Sequence, residues 1–348
     1  MDKIQVNKIS KDAKKSMVTR IITSIILALI AIPTILLGGW WFLVFVAIAL
    51  VFIIHEFTNA PAHKSYGPAL HIFLYFMTFS FVFWIMIKNN MENVKMDNFF
   101  DRWTFEGAFS YMVQVGQEKM LSARISVSTI GVVVTAFVLF FISITNKNFH
   151  IDDVTYLFTM SVFIGIAGQS LLFLRYFPKA AFDNAVGNRA DYTYNTFSTS
   201  LLLIYVILGA FVTDIGAYFT GMLFGKKKMN ERISPKKTWE GFIGGVVLSF
   251  AVSFSFAILC DHFKRPILPS LTLKNWYWIL IISLVMPIIA NLGDFIFSAL
   301  KRHFEIKDYG TILRGHGGVL DRVDSLLCTA LFVAIFVIFL SNGWNFLI

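Results

Sequence analysis

The chain has 348 residues, of which 57% are hydrophobic and 15% charged, with a net charge of +9 and 38 Phe; its mean hydropathy is +0.69. An ordinary soluble domain is about 25% charged, and one or two cores in a chain of this length would not hide this much apolar surface, so a soluble fold and a disordered chain are both excluded. The two cysteines, Cys260 and Cys328, sit in apolar runs, which argues against a disulfide framework or a Cys-based zinc site. The basic balance points to anionic lipid or phosphate. Nucleic acid is not expected as a partner, because no basic soluble module with interleaved aromatics is present.

Residues 1–20 form a basic segment carrying Lys3, Lys8, Lys11, Lys14, Lys15 and Arg20, which the positive-inside rule sets in the cytoplasm. No small-residue cleavage site follows, so the first apolar run is expected to be retained as a span. A helix crosses the hydrocarbon core with about 20 apolar residues, and about nine such runs follow in residues 21–348. They are Ile21–Leu37, Trp40–Ile54, Pro68–Ile87, Ile125–Thr145, Val154–Leu174, Phe197–Phe224, Phe242–Cys260, Trp276–Gly293 and Val323–Leu340. The second run is short and is separated from the first only by Gly38 and Gly39, which predicts a tight helical hairpin. Lys88–Arg124 is the long polar insertion. The expected fold is an all-α integral membrane protein, a single polytopic bundle of about nine transmembrane helices with its N-terminus cytoplasmic and its C-terminus outside. The loops at 225–241 and 301–322 then share the cytoplasmic side with the N-terminal segment, and this side holds well over half of the Lys and Arg residues.

Charge within or at the edge of a span is costly and marks function first. Asp214 falls in the sixth run; taken alone, it reads equally well as a helix–helix hydrogen-bonding group. Gly216, Ala217, Gly221 and Gly225 are spaced for close helix packing, and Glu56 reads as an interfacial carboxylate. Lys226, Lys227 and Lys228 are explained equally well by topology. Ser234-Pro235-Lys236-Lys237-Thr238 differs in kind, because hydroxyls and lysines stand just ahead of an expected helix start, where free amides and the helix dipole favour phosphate. The segment from Gly293 to Asp324 is the richest: Asp294 at the end of the eighth run and Asp321 at the start of the ninth are joined by a loop able to fold both into one site. Carboxylates in a phosphate-rich setting suit Mg²⁺, and Lys301, Arg302, Lys307 and Arg322 are placed to neutralise further phosphate charge. His316, beside Gly317 and Gly318, is a candidate polar residue of the site, although a lone loop histidine is ordinarily just solvated.

At these residues the sequence resembles the phosphatidate cytidylyltransferase, or CDP-diacylglycerol synthase, family. The pattern Ser-x-apolar-Lys-Arg, four residues, Lys-Asp, then His-Gly-Gly-x-x-Asp-Arg-x-Asp is filled by Ser298, Lys301, Arg302, Lys307, Asp308, His316, Gly317, Gly318, Asp321, Arg322 and Asp324. Upstream, Asp214-x-x-Ala217-Tyr218 and Ser234 through Gly241 fit the family in the same order. Two positions depart from it: Phe297 stands where an acidic residue is common, and Arg314 where Pro is common. The resemblance implies cytidylyl transfer from CTP to phosphatidic acid, giving CDP-diacylglycerol and pyrophosphate, with the catalytic part at about 205–330. It implies metal ligation by Asp294 and Asp321 with Mg²⁺, a second cation being compatible. Catalytic roles fall to Asp214, Lys301, Arg302, Lys307, Asp308, His316, Arg322 and Asp324, and phosphate contacts to Ser234, Lys236, Lys237, Thr238 and Ser298. Phosphatidic acid would arrive from the cytoplasmic leaflet of a bacterial cell membrane, among membrane lipids, and a homodimer is compatible with the family. The competing classes are a transporter or channel, which would spread its charges along a path through the bilayer, and a polyprenol or dolichol kinase, which would move the γ-phosphate of CTP and leave the cytidine out of the lipid.

Overall fold

A computed structural model describes residues 11–61, 66–92, 127–186, 196–313, 315 and 317–342. The described residues form nine α-helices: α1 (Lys11–Leu37), α2 (Gly39–Asn59), α3 (Pro68–Glu92), α4 (Val127–Thr145), α5 (Ile151–Val186), α6 (Leu201–Phe224), α7 (Trp239–His262), α8 (Trp276–His303) and α9 (Leu320–Asn342). Each expected apolar run falls in its own helix, save that Ile125 and Ser126 lie outside the described residues and Phe197–Ser200 precede α6, and the chain is a polytopic membrane bundle. By length and composition, six segments are long and apolar enough to cross a bilayer: Gly39–Asn59, Ile151–Lys179, Ser198–Phe224, Trp239–His262, Leu273–His303 and Leu320–Ser341. Three apolar stretches are shorter, at Ile25–Leu37, Pro68–Phe83 and Ile130–Thr145. The second run, short in the sequence reading, is thus one of the long helices, because the polar residues His55 and Glu56 continue it instead of ending it.

The chain passes from α1 to α2 at Gly38 and Gly39, both with positive φ, a conformation open to glycine at little cost. The buried Arg175 of α5 braces this turn, its Nε donating to Ile35 O at 2.7 Å and its Nη2 to Leu36 O at 3.3 Å. Helix α9 is central and touches α8, α5, α6 and α2. Buried hydroxyls tie the helices at depth, as where Tyr205 of α6 meets Ser283 of α8 at 2.6 Å and Tyr156 of α5 donates to Phe57 O of α2 at 2.9 Å.

Helices α6 and α7 approach backbone to backbone. A Cβ built on Gly245 would stand 2.7 Å from Thr213 O, and one on Gly241 would stand 2.8 Å from Ala217 O. Gly216 faces Gly245 and Gly221 faces Gly241, so the small residues of α6 do pack a helix, and Ser249 Oγ adds a bond to Gly209 O at 2.8 Å.

One element lies outside the all-helical expectation. Between α6 and α7 the chain makes an antiparallel hairpin, β1 (Lys228–Asn230) with β2 (Ser234–Thr238), pairing Lys228 with Thr238 and Asn230 with Ser234. Asn230 Oδ1 turns it by accepting from Arg232 N at 3.1 Å and Ile233 N at 3.2 Å. Asn and Asp side chains favour such turns because they offer the backbone a local acceptor. A charge-rich loop of this kind carries no alternating apolar pattern, so the hairpin was not legible in the sequence.

Candidate active site

Helix α8 continues past Gly293 for three turns to His303. Asp294, Ser298 and Lys301 therefore stand on one helical face, at spacings of four and three, and do not hang from a loop. Ser298 Oγ donates to Asp294 Oδ1 at 3.2 Å. Helix α9 starts at Leu320, so Asp321 and Asp324 share a face of its first turns. At Gly293 the two helices come close, since a Cβ there would lie 2.8 Å from the Cβ of Cys328. This approach sets Asp324 beside Asp294.

Asp214 joins them from α6. Its Oδ2 accepts from Ser325 Oγ at 3.3 Å, and the carboxylates of Asp214, Asp294 and Asp324 act electrostatically on one another. Asp214 is exposed, Asp294 partly exposed and Asp324 buried, so the acidic groups run inward from the surface of the bundle. Three cations bear on them. Lys237 of β2 pairs with Asp294 Oδ2 at 2.6 Å and lies 4.2 Å from the Phe295 ring centroid. Arg322 and Lys237 both act on Asp214, and Lys301 acts on Asp324.

Asp321 has a different setting. Its Oδ1 accepts from the Lys301 ammonium at 2.8 Å, and its Oδ2 accepts from Tyr309 N at 2.8 Å and Gly318 N at 2.9 Å. Three of the roughly four acceptor positions of this carboxylate are thus filled from within the protein. The Lys301 ammonium also lies 5.6 Å from the ring centroid of Tyr309. Burial pushes the Tyr309 phenol well above its ordinary range.

Asp294, with Asp214 and Asp324 beside it, presents oxygen donors only, which suits a hard divalent cation. Among the described residues no three acidic or imidazole groups form a ready-made cage. An ion such as Mg²⁺ needs no such cage, because it takes one or two carboxylates and completes its shell with water and substrate phosphate.

The remaining expected residues divide clearly. Thr238 is buried at the start of α7, where its Oγ1 accepts from Gly241 N at 3.1 Å as the helix N-cap. In β2 Lys236 is exposed to solvent whereas Lys237 is partly buried against Asp294, and Ser234 is partly buried at the start of the strand. Arg302 docks the hairpin on α8 through Nε to Ile233 O at 3.3 Å, and its Nη1 reaches Ile306 O at 3.2 Å. Lys307 and Asp308 are exposed on the loop between α8 and α9. His316 and Arg314 lie outside the described residues. Phe297 is 1% exposed and packs between Phe163 and Tyr309, with ring centroids 5.8 and 6.2 Å away, so this position anchors the loop to α5 instead of contributing a carboxylate. Sequence reasoning passed over Ser325 and Tyr309, and it read Glu56 as an interfacial carboxylate, whereas Glu56 is 2% exposed and bonded to the start of α9. The seryl group beside the Asp321–Asp324 motif was a usable signal for Ser325; for Glu56 there was none.

The model of the cytidylyltransferase family matches residues 18–340. The chain is 41% identical over 138 residues to a phosphatidate cytidylyltransferase of Bacillus subtilis, covering 40% of this chain and 46% of that protein. To the phosphatidate cytidylyltransferases of Haemophilus influenzae and Staphylococcus haemolyticus it is 38% identical over 148 residues and 41% identical over 143, covering 42% and 41% of this chain and 49% and 51% of theirs. The matched stretch thus spans about half the length of these curated relatives. Because the family match runs from α1 through nearly all of α9, it takes in every helix that supplies the site, and this membrane bundle belongs to the cytidylyltransferase family.

Proposed function

We propose that the chain transfers a cytidylyl group from CTP to phosphatidic acid, giving CDP-diacylglycerol and pyrophosphate, at the inner face of a bacterial cell membrane. The observation that carries this reading is the meeting of Asp214, Asp294 and Asp324 with Lys237, Lys301 and Arg322 at one place in the bundle. A transporter would need such charges along a path through the bilayer.

An oxygen of the lipid phosphate attacks the α-phosphorus of CTP, and the bond from that phosphorus to the oxygen bridging to the β-phosphate breaks as pyrophosphate departs. A phosphate monoester with a second pKa of about 6 is already anionic at neutral pH, so no side chain needs to remove a proton. Asp294, with Asp214 and Asp324 beside it, would hold Mg²⁺. The bound ion would offset charge on the phosphoryl oxygens and orient the reacting phosphorus. Lys237, released from Asp294 as the ion arrives, would turn to a substrate phosphate, with Arg322 and the exposed Lys236, Lys307 and Arg302 around it. For Asp321 to share in metal binding, Lys301 would have to leave Oδ1 for phosphate. Acyl chains would stay in the bilayer; a homodimer and a second cation remain part of the proposal only by family likeness.

The test is an assay of the purified protein with phosphatidic acid, Mg²⁺ and CTP labelled in the base. Label entering the lipid with matching release of pyrophosphate supports the reading. Phosphorylation of a prenol with the label left in solution would assign the kinase class instead.

A further inference from the structure

The first turn of α9 carries Asp321 and Arg322 and leads into Asp324, so its position decides where half of the acidic groups stand. Three backbone amides open that turn. Gly318 N donates to Asp321 Oδ2 at 2.9 Å, whereas Val319 N donates to Glu56 Oε1 and Leu320 N to Glu56 Oε2, each at 2.8 Å. Both oxygens of one side chain on α2, 263 residues away in sequence from Val319, thus hold the start of α9. A carboxylate on free helix amides is favoured by charge-assisted bonding and by the helix dipole.

The seat is shaped for this carboxylate. A Cβ on Gly310 would stand 2.7 Å from Glu56 Oε1, and one on Gly318 would stand 2.5 Å from Oε2. Both loop positions must lack a side chain for the group to reach the amides. Since the protein's own carboxylate takes the place an anion would occupy at an open helix N-terminus, substrate phosphate has to be met by side-chain cations.

We propose that Glu56 is a positioning residue of the active site, its buried carboxylate locking the first turn of α9 so that Asp324 stands beside Asp294, Arg322 near Asp214 and Asp321 on Lys301; this rests on the cytidylyltransferase reading. Glu56 touches no reacting group. A shift of Leu320 and Gly318 passes through Asp321 to Lys301, and through the helix to Asp324.

The test uses the full-length protein in lipid nanodiscs with Glu56→Gln and Glu56→Ala. Gln is isosteric, keeps one acceptor and sets an NH2 against the other amide. Amide exchange over residues 317–324 should rise in both variants, more in Ala, with exchange in α6 and α7 unchanged. kcat should fall about tenfold to hundredfold, the scale of a misplacement of about 1 Å, while KM for CTP and for phosphatidic acid stays within about threefold. Unchanged exchange over 317–324 in Glu56→Ala would refute the anchor. Raised local exchange with kcat within about twofold of the parent, or a uniform loss of stability with unaltered turnover per folded molecule, would refute the positioning role. If the parent transfers no cytidylyl group, the underlying reading fails and takes the positioning role with it, and the exchange measurement still decides whether Glu56 holds α9.

Discussion

At the scale of single residues, the four aspartates divide by what already binds them. Asp294 meets Lys237 at a partly exposed position, whereas Asp321 is bonded to a buried lysine and two amides. Asp294→Asn keeps shape and removes the charge a hard cation needs, so it should abolish most turnover at limiting Mg²⁺ while leaving thermal stability close to the parent. Asp321→Asn strands the Lys301 ammonium in a buried setting, where breaking one half of a pair costs about 3–5 kcal/mol. That variant should lose both activity and stability, and parallel melting and activity curves check the contrast; a stable, inactive Asp321→Asn would return it to the metal. Lysines divide similarly. Lys237→Gln should cost about tenfold to hundredfold in kcat/KM, since a charge-assisted bond contributes about 1.5–3 kcal/mol and about 1.4 kcal/mol is a factor of ten. Gln at Lys226, Lys227 or Lys228 should leave the KM for CTP nearly unchanged, and the exposed Lys236 should give an intermediate effect. Equal, small effects at all five positions, with membrane insertion verified, would remove Lys237 from phosphate binding.

At the scale of elements, the pairing of α6 with α7 sets Asp214 against α8 and α9, because Gly245 packs on Thr213 O, one residue from Asp214. Gly245→Ala forces a methyl group against that carbonyl and against the Ala217 Cβ at 3.0 Å. Overpacking of this kind costs about 1–3 kcal/mol. The variant should melt at lower temperature and turn over more slowly, with the KM for CTP little changed. Thr238→Ala removes the α7 N-cap and should destabilise by about 0.5–2 kcal/mol; a large rise in KM for CTP without loss of stability would instead assign the Thr238 hydroxyl to phosphate.

At the scale of the whole molecule, the proposed reaction requires the 225–241 and 304–319 loops to face cytosolic CTP. Single Cys probes at Lys228 and Thr311, in a background with Cys260 and Cys328 replaced, should be protected from an impermeant thiol reagent in intact cells. A probe at Asn98 should label. Labelling of the first two positions would separate the site from its nucleotide and overturn the orientation.

What the sequence alone determined follows from local and pairwise physics: apolar runs of bilayer length, small residues spaced for helix packing at Gly216, Ala217 and Gly221, and a helix start just after Thr238 are each readable within a turn or two of chain, whereas the capping role of the Thr238 hydroxyl, expected as a phosphate contact, came from the structure. The list of charged candidates was likewise legible, because charge is rare in such a composition. Which carboxylates meet was decided only by the tertiary structure. Extension of α8 through polar residues to His303 turned Asp294, Ser298 and Lys301 into one face, and the pairing with Asp294 separated Lys237 from the exposed Lys236. Asp321 became the partner of Lys301, and Phe297 a packing group under Tyr309. Glu56 was the least legible, since its role depends on two amides brought to it by folding across 263 residues, and backbone donors leave no mark in the identity of Val319 or Leu320.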